Sequence, residues 1–423
     1  MERLSPKQLK RVWDDLGLDL AAHEKLMESM ERSHARTFLA CDRRPESMGM
    51  FDAALHDAHG QRVADLIEHR RKGGGVIGTF CIYVPDEIAL AVGIVPVPLC
   101  GGSNWPIKHA DRVLPRDICP LVRSTMGMAV SETCPYKRAK NYALGETTCD
   151  AKKKAWDLFG IDSMELPQRK DSPDRELWLS EIRKFQHGVE ELAGRQITED
   201  ALRRSIRICN RRRALLREVS ELRKKPEPPI TGLDALLVSQ TALAMSPESF
   251  IGAAEALLEE LRERIRNGYS AYPEVGPRVI FAGSPAPMGH AKVHAVAESI
   301  GLRIVADESC TGARYYRGHI PEDLLTVNGM LDAIADRYFE IDCACFSPNS
   351  ERVDNVLRMI AEYGADGVVH NVLQYCHGYD IEARRLDGAL RDAGIPSILI
   401  VSDYSAEDEQ RIGIRLEAFR ELL

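Results

Sequence analysis

Gly73-Gly-Gly-Val-Ile-Gly-Thr-Phe-Cys-Ile-Tyr-Val-Pro-Asp-Glu87 decides the fold class. Val76 to Phe80 is a short apolar run that reads as a strand, and a cysteine, Cys81, stands just past it. Pro85 to Val92 reads as a helix and Ile94 to Leu99 as a second strand. A strand, a helix and a strand in such close succession imply a parallel sheet.

The same alternation continues in both directions. A helix is expected after Asp117, a third strand from Tyr142 to Thr147 leads into Cys149, and residues 150–160 follow as a helix. Upstream, residues 6–40 read as helical, with Leu9, Val12, Trp13, Leu16 and Leu18 on a partly apolar face, and Phe51 to Arg71 as another helix. Residues 174–225 are charge-rich with helical periodicity, so Arg211, Arg212 and Arg213 are expected on a solvated face. Pro226-Glu-Pro-Pro ends that segment, two further helices fill 230–272, and Tyr272-Pro-Glu-Val-Gly-Pro277 reads as an interdomain link. A second α/β unit follows. Its expected strands are Arg278 to Ala282, Arg303 to Ala306, Gly367 to Leu373 and Ser397 to Val401, with helices between them. The expected architecture is α/β: two flavodoxin-like parallel-sheet domains, 73–175 and 273–423, with an N-terminal helical segment, 1–72, and a helical insertion, 176–272.

Composition narrows the class. With 44% hydrophobic and 28% charged residues, the 423-residue chain reads as an ordinary globular protein of two or three domains. A net charge of −8 and a pI near 5.9 argue against a nucleic-acid surface. Met1-Glu-Arg-Leu-Ser-Pro-Lys lacks the apolar core of a signal peptide. The longest apolar stretch, Ile88 to Cys100, is too short to span a membrane and contains Pro96 and Pro98. A cytoplasmic location is expected, and eleven cysteines in a reducing compartment are not a disulfide framework.

Most of those cysteines sit where a strand-like run meets a loop or a helix start, and none forms a CxxC pair. Ligands bind open parallel sheets at the carboxyl ends of the strands. Cys81, Cys149, Cys310 and Cys376 follow strands, while Cys119 and Cys345 precede helices, where backbone N–H groups stabilise a thiolate. Thiolates from distant loops can therefore converge on a soft metal centre. Structural zinc prefers close local pairs, and here the closest is Cys343-Ala-Cys345, so an iron–sulfur cluster between two domains fits better. Cys209, in a basic helix, and Cys41 are set aside, and Cys100 is given a structural role.

The sequence around the cysteines resembles the 2-hydroxyacyl-CoA dehydratase and benzoyl-CoA reductase superfamily. The stretches that carry the resemblance are Gly78-Thr-Phe-Cys-Ile-Tyr-Val-Pro-Asp-Glu-Ile-Ala-Leu-Ala-Val-Gly, Cys119-Pro-Leu-Val-Arg-Ser-Thr-Met-Gly, Gly145-Glu-Thr-Thr-Cys-Asp-Ala-Lys-Lys-Lys and Asp366-Gly-Val-Val-His-Asn-Val-Leu-Gln-Tyr-Cys-His. It runs from about residue 60 onward and implies that Cys81, Cys119 and Cys376 hold one four-iron cubane. Cys134-Pro-Tyr, Cys310-Thr-Gly and Cys343-Ala-Cys345-Phe-Ser-Pro-Asn are similar to the double-cubane branch. That branch implies a homodimer and an [8Fe-9S]-type cluster, with a second ligand triplet drawn from Cys134, Cys149, Cys310 and Cys345, and Cys343 in reserve. The resemblance also implies a separate ATP-hydrolysing iron–sulfur activator as the electron donor, so ATP binds only on that partner.

The residues agree on ATP. Gly73-Gly-Gly precedes its strand and no Gly-Lys-Ser/Thr occurs, so there is no P-loop, and Gly283-Ser-Pro-Ala-Pro-Met-Gly289, before Lys292, reads as a plain turn ahead of an anion cradle. His377, Glu382 and Glu87 are the candidate proton donors, with His370 and Tyr83 nearby in sequence; hydrogen-bonding support for the ligands is an equal reading of each. The leading expectation is an iron–sulfur reductase of small unsaturated substrates. The alternatives are a 2-hydroxyacyl-CoA dehydratase-type subunit with a single [4Fe-4S] cluster and a non-catalytic electron store.

Overall fold

The computed structural model describes residues 3–423. Two four-stranded, all-parallel sheets organise the chain. The first contains β1 (Gly75–Thr79), β2 (Ile94–Pro98), β3 (Tyr142–Glu146) and β4 (Asp162–Met164), in the order β2-β1-β3-β4. The second contains β5 (Arg278–Gly283), β6 (Arg303–Asp307), β7 (Gly367–Leu373) and β8 (Ser397–Ser402), in the order β6-β5-β7-β8. The expected two-domain α/β fold is present, and each sheet repeats the other's strand order. The strand order reverses between β1 and β3 in one sheet and between β5 and β7 in the other, which opens a crevice at their carboxyl ends.

The strands form where expected because both faces are covered. Val76, Ile77, Val279, Ile280, Ile304, Val368 and Val369 are fully buried, as β-branched residues between helical layers should be. β4 was not anticipated. It is only three residues long, and two of them are exposed, so no apolar run marks it.

The N-terminal segment differs from expectation in its breaks. Residues 6–40 form two helices, Pro6–Asp15 and Leu20–Thr37, split where Gly17 takes φ +70° and the Asp19 carboxylate caps the second helix by accepting from the Ala22 N–H. Residues 51–72 likewise divide into Met48–His56, a 3₁₀ turn at Asp57–His59, and Gln61–Arg71.

The insertion consists of the long helices Ser172–Ala193 and Glu199–Leu222, followed by Gly232–Ala242 and Pro247–Arg266. Its basic run corrects the solvated-face expectation. Arg211 is half exposed and pairs with Glu255, but Arg212 and Arg213 are buried. Arg212 pairs with Asp86, and Arg213 pairs with Glu87 at 2.6 Å. These acids open the helix Asp86–Ala91 just beyond Cys81, and the long helix crosses it and supplies their counter-charge. Trp178, Ile182, Leu202 and Ile206 share one apolar core with Ile77 and Tyr83 of the first α/β unit and Tyr338 of the second. The insertion therefore packs against both α/β units.

Candidate iron–sulfur site

Cys81, Cys149, Cys310 and Cys376 lie just past β1, β3, β6 and β7. Cys119, Cys149 and Cys376 each take the N-cap position of a helix: Pro120–Val130, Asp150–Leu158 and His377–Asp392 respectively. The sequence makes these starts through Pro120 at the first helical position and through Asp150 and Asp380 in the first turn. The thiols thus stand where free backbone N–H groups and the positive helix end favour a thiolate.

One cavity of about 1270 Å³ lies between the two units, lined by Thr79, Phe80 and Thr147 on one side and by Ser284, Leu373 and Tyr379 on the other. Cys81, Cys100, Cys119, Cys149, Cys310, Cys343, Cys345 and Cys376 all line it. Of the cysteines expected as ligands, Cys134 is the exception. It caps the short helix Pro135–Ala139, is buried beside Tyr136 and Lys137, and does not line the cavity. Cys343, held in reserve, and Cys100, given a structural role, do line it, while Cys209 is fully buried elsewhere.

The thiols that line the cavity fall into two neighbouring groups. Cys119 and Cys376 share a hydrogen bond, with Cys149 close enough to bear on Cys119. Cys310 is hydrogen-bonded to both Cys343 and Cys81, and Cys343 also to Cys345. Cys81 therefore joins the Cys310 group and leaves Cys119 and Cys376 with Cys149. Within each group the first proton leaves easily and the next is held. The Cys119 thiol lowers Cys376 to about 7, and Cys119 is itself driven well up by that shared bond. The hydrogen bond from Cys310 holds Cys343 well below the usual thiol range, while Cys310 and Cys345 are pushed up.

The Cys310 group is backed by a saturated ion network. Arg314, with no exposed side-chain surface, lies 3.7 Å from the Cys310 sulfur and pairs with Glu308 and, at 3.2 Å, with Asp342. Arg352 adds a bond of 3.0 Å to Glu308. The Tyr379 hydroxyl lies 3.4 Å from the Cys343 sulfur, and the Tyr83 hydroxyl donates to the Ile341 carbonyl 4.0 Å from Cys345. The first unit contributes differently. Glu146 accepts from the Cys81 N–H at 3.1 Å with one carboxylate oxygen and leaves the other without a partner, and burial raises its pKa. Lys152 is buried on the cavity wall. Burial opposes its charge, but negative charge on the surrounding Cys81 and Cys100 sulfurs and on the Glu146 carboxylate outweighs that and raises its pKa well above the usual range.

The acid–base candidates separate. His377 is exposed, opens its helix and lines the cavity. Glu382 accepts from Arg352 at 3.4 Å and Asn349 at 3.2 Å, behind the Cys310 group and off the cavity wall. Glu87 is fully buried and accepts from Arg213 and the Tyr338 hydroxyl; burial opposes its charge, but the Arg213 and Arg337 guanidiniums outweigh it and hold the carboxyl below the ordinary range, and it does not reach the cavity either. His370 is buried with both ring nitrogens unpartnered, and burial lowers it to about 4. After the Gly283–Gly289 loop, Lys292 opens the next helix and pairs with Asp408. Lys152, Glu308, Arg314 and Tyr379 escaped the sequence reading. Lys152 alone left a signal, one helical turn after Cys149 in a helix capped by that cysteine.

The donor set tests which group fits. Among the described residues no three His, Cys, Asp or Glu side chains converge on a single ion. Thiols spread around a large cavity in two adjoining groups instead suit clusters whose irons occupy separate vertices.

Two parallel-sheet units that pool strand-end cysteines in a shared crevice define a class of two-unit α/β proteins. Residues 81–423 match the 2-hydroxyglutaryl-CoA dehydratase, D-component family, and the chain belongs to it. It is 35% identical over 365 residues to the protein named "Putative dehydratase subunit YjiM" of Escherichia coli (strain K12), covering 85% of this chain and 94% of that one. It is 24% identical to the (R)-phenyllactyl-CoA dehydratase beta subunit of Clostridium sporogenes, covering 85% and 97%. It is 23% identical to one of the benzoyl-CoA reductase subunits of Thauera aromatica, covering 81% and 89%. These relatives are subunits of dehydratases and of a reductase. No helix among the described residues is long and apolar enough to cross a membrane.

Proposed function

We propose that this protein is an iron–sulfur reductase carrying a double-cubane [8Fe-9S]-type cluster, supplied with electrons by an ATP-hydrolysing activator protein and acting as a homodimer on a small unsaturated substrate. The observation that carries this reading is the pair of thiol groups lining one cavity, Cys119, Cys149 and Cys376 beside Cys81, Cys310, Cys343 and Cys345. A single cubane uses one such group; two adjoining groups are the donor set for a joined pair.

The cluster, when bound, supplies electrons at low potential. The chain's residues do the rest. Helix N-termini at Cys119, Cys149 and Cys376 and the Arg314 guanidinium beside Cys310 stabilise the thiolates. Tyr83 and Tyr379 orient the sulfurs of Cys345 and Cys343. Phe80, Ile82, Leu121 and Val122 line part of the cavity and limit water there. His377 on the cavity wall is the proton donor in this reading; Glu382 and Glu87 act from behind it by holding Arg352 and Arg213.

The names of the relatives favour a second reading, a 2-hydroxyacyl-CoA dehydratase-type subunit with one [4Fe-4S] cluster. Anaerobic purification with iron and acid-labile sulfide quantitation separates the two. About eight irons per chain supports the double cluster and about four the dehydratase-type subunit. Zinc without labile sulfide would dismiss both.

A further inference from the structure

Lys152 and Lys292 are both buried lysines near the N-terminus of the helix that follows a strand. Lys292 is fully compensated. It pairs with Asp408, lies 3.8 Å from Asp403 and donates to the Ser405 carbonyl at 2.7 Å. Lys152, 8% exposed, makes one long hydrogen bond among the described residues, 3.4 Å to the Phe80 carbonyl, and no carboxylate pairs with it. An ammonium taken out of water needs compensating charge. The groups around Lys152 are the Cys81, Cys100 and Cys149 thiols and Glu146, whose outer carboxylate oxygen is also unpartnered. Its head faces the cavity rather than an acid of its own fold.

We propose that Lys152 is a positioning residue that presents a buried positive charge to an anionic cluster held at Cys81 and Cys149. The inference rests on the iron–sulfur reading. A fixed cation beside a centre that gains negative charge on reduction stabilises the reduced form, so Lys152 raises the potential of that centre. A purely structural lysine, present to pin the Phe80 carbonyl, would leave the potential unmoved.

The test uses the full-length protein, reconstituted anaerobically with iron and sulfide, as wild type and as Lys152→Met, Lys152→Gln and Lys152→Arg. Circular dichroism melts establish folding, iron content establishes loading, and a spectroscopic redox titration reads the potential. The two neutral variants are expected to load iron as wild type does and to titrate at a more negative potential, with Lys152→Arg restoring most of the shift. Neutral variants with full iron and wild-type potential overturn the proposal. If the neutral variants lose iron, recovery in Lys152→Arg supports a charge requirement for loading, and loss in Lys152→Arg as well overturns it. A wild-type chain that forms no cluster removes the iron–sulfur reading itself, and this inference with it.

Discussion

The carboxyl ends of the two sheets carry the same kind of side chain, the cysteine thiol, under opposite electrostatics. Behind the second sheet, Arg314, Arg317 and Arg352 meet Glu308, Asp342 and Glu382 in a network closed on itself. Beside the first sheet, Lys152 and one oxygen of Glu146 are buried without a partner of opposite charge in contact. Buried charge is retained only where something compensates it. The second unit compensates internally and can hold its thiols rigidly; the first leaves charge directed at the cavity. On the reading proposed above, the second half acts as a frame and the first as the side that responds to what the cavity holds.

The largest expected effect tests the frame. Glu308→Ala leaves Arg314 and Arg352 buried beside each other and should cost about 3–5 kcal/mol, read as a large fall in melting temperature. An unchanged melt would erase the contrast between the halves. The thiol grouping comes next. Cys376→Ser and Cys310→Ser should each lower bound iron, measured by colorimetric assay after anaerobic reconstitution, and unchanged iron in either strikes that residue from the ligand set.

The same rule of paired and unpaired charge gives a pH signature away from the cavity. Glu298 is partly buried and, among the described residues, pairs with no cation. It accepts from the Gly232 and Leu233 N–H groups and the Tyr272 hydroxyl, and burial raises it to about 7. A carboxyl with a raised folded pKa binds its proton more tightly in the folded chain, so stability is lost as pH rises from the ordinary 4.5 towards 7. Glu298→Gln cannot ionise, and its stability relative to wild type should improve between pH 5 and 8 by up to about 3 kcal/mol in urea melts. Asp307, bonded to His294 at 2.9 Å, has the opposite sign: its carboxylate is held below the usual range and its contribution is lost in acid. A pH-independent difference between Glu298→Gln and wild type would refute the assignment.

The smallest effects are the sharpest controls. Lys152→Met should change the stability of the metal-free chain by about 1 kcal/mol or less, because no ion pair is broken. A loss as large as that of Glu308→Ala would mean that Lys152 is part of the frame. Cys134→Ser should leave bound iron unchanged, and a fall would return Cys134 to the ligand set.

The strands were legible because a buried parallel strand advertises itself locally, as in Val76 to Phe80 and Gly367 to Leu373. The strand-end placement of Cys81, Cys149, Cys310 and Cys376 was legible for the same reason. The helix breaks at Gly17 and near Gly60 carry a glycine each, but the apolar periodicity runs on across them. The burial of Arg212 and Arg213 was not legible, since their acids lie 126 residues away and only helix crossing brings them together. Cys134 looked like the other cysteines because it also caps a short helix, yet that helix faces the core beneath the first sheet.

The sequence by itself determined the alternation of strands and helices, the family, and the supply of thiols at strand ends. All three follow from short-range pattern, in which side-chain period and turn residues act within a few positions. Tertiary structure decided which thiols belong together, that Cys81 stands with Cys310 and that Cys343 joins them, and which buried charges are paired. Those outcomes depend on how two sheets distant in sequence face each other across one cavity, and Coulomb energy and hydrogen bonds act through that space rather than along the chain.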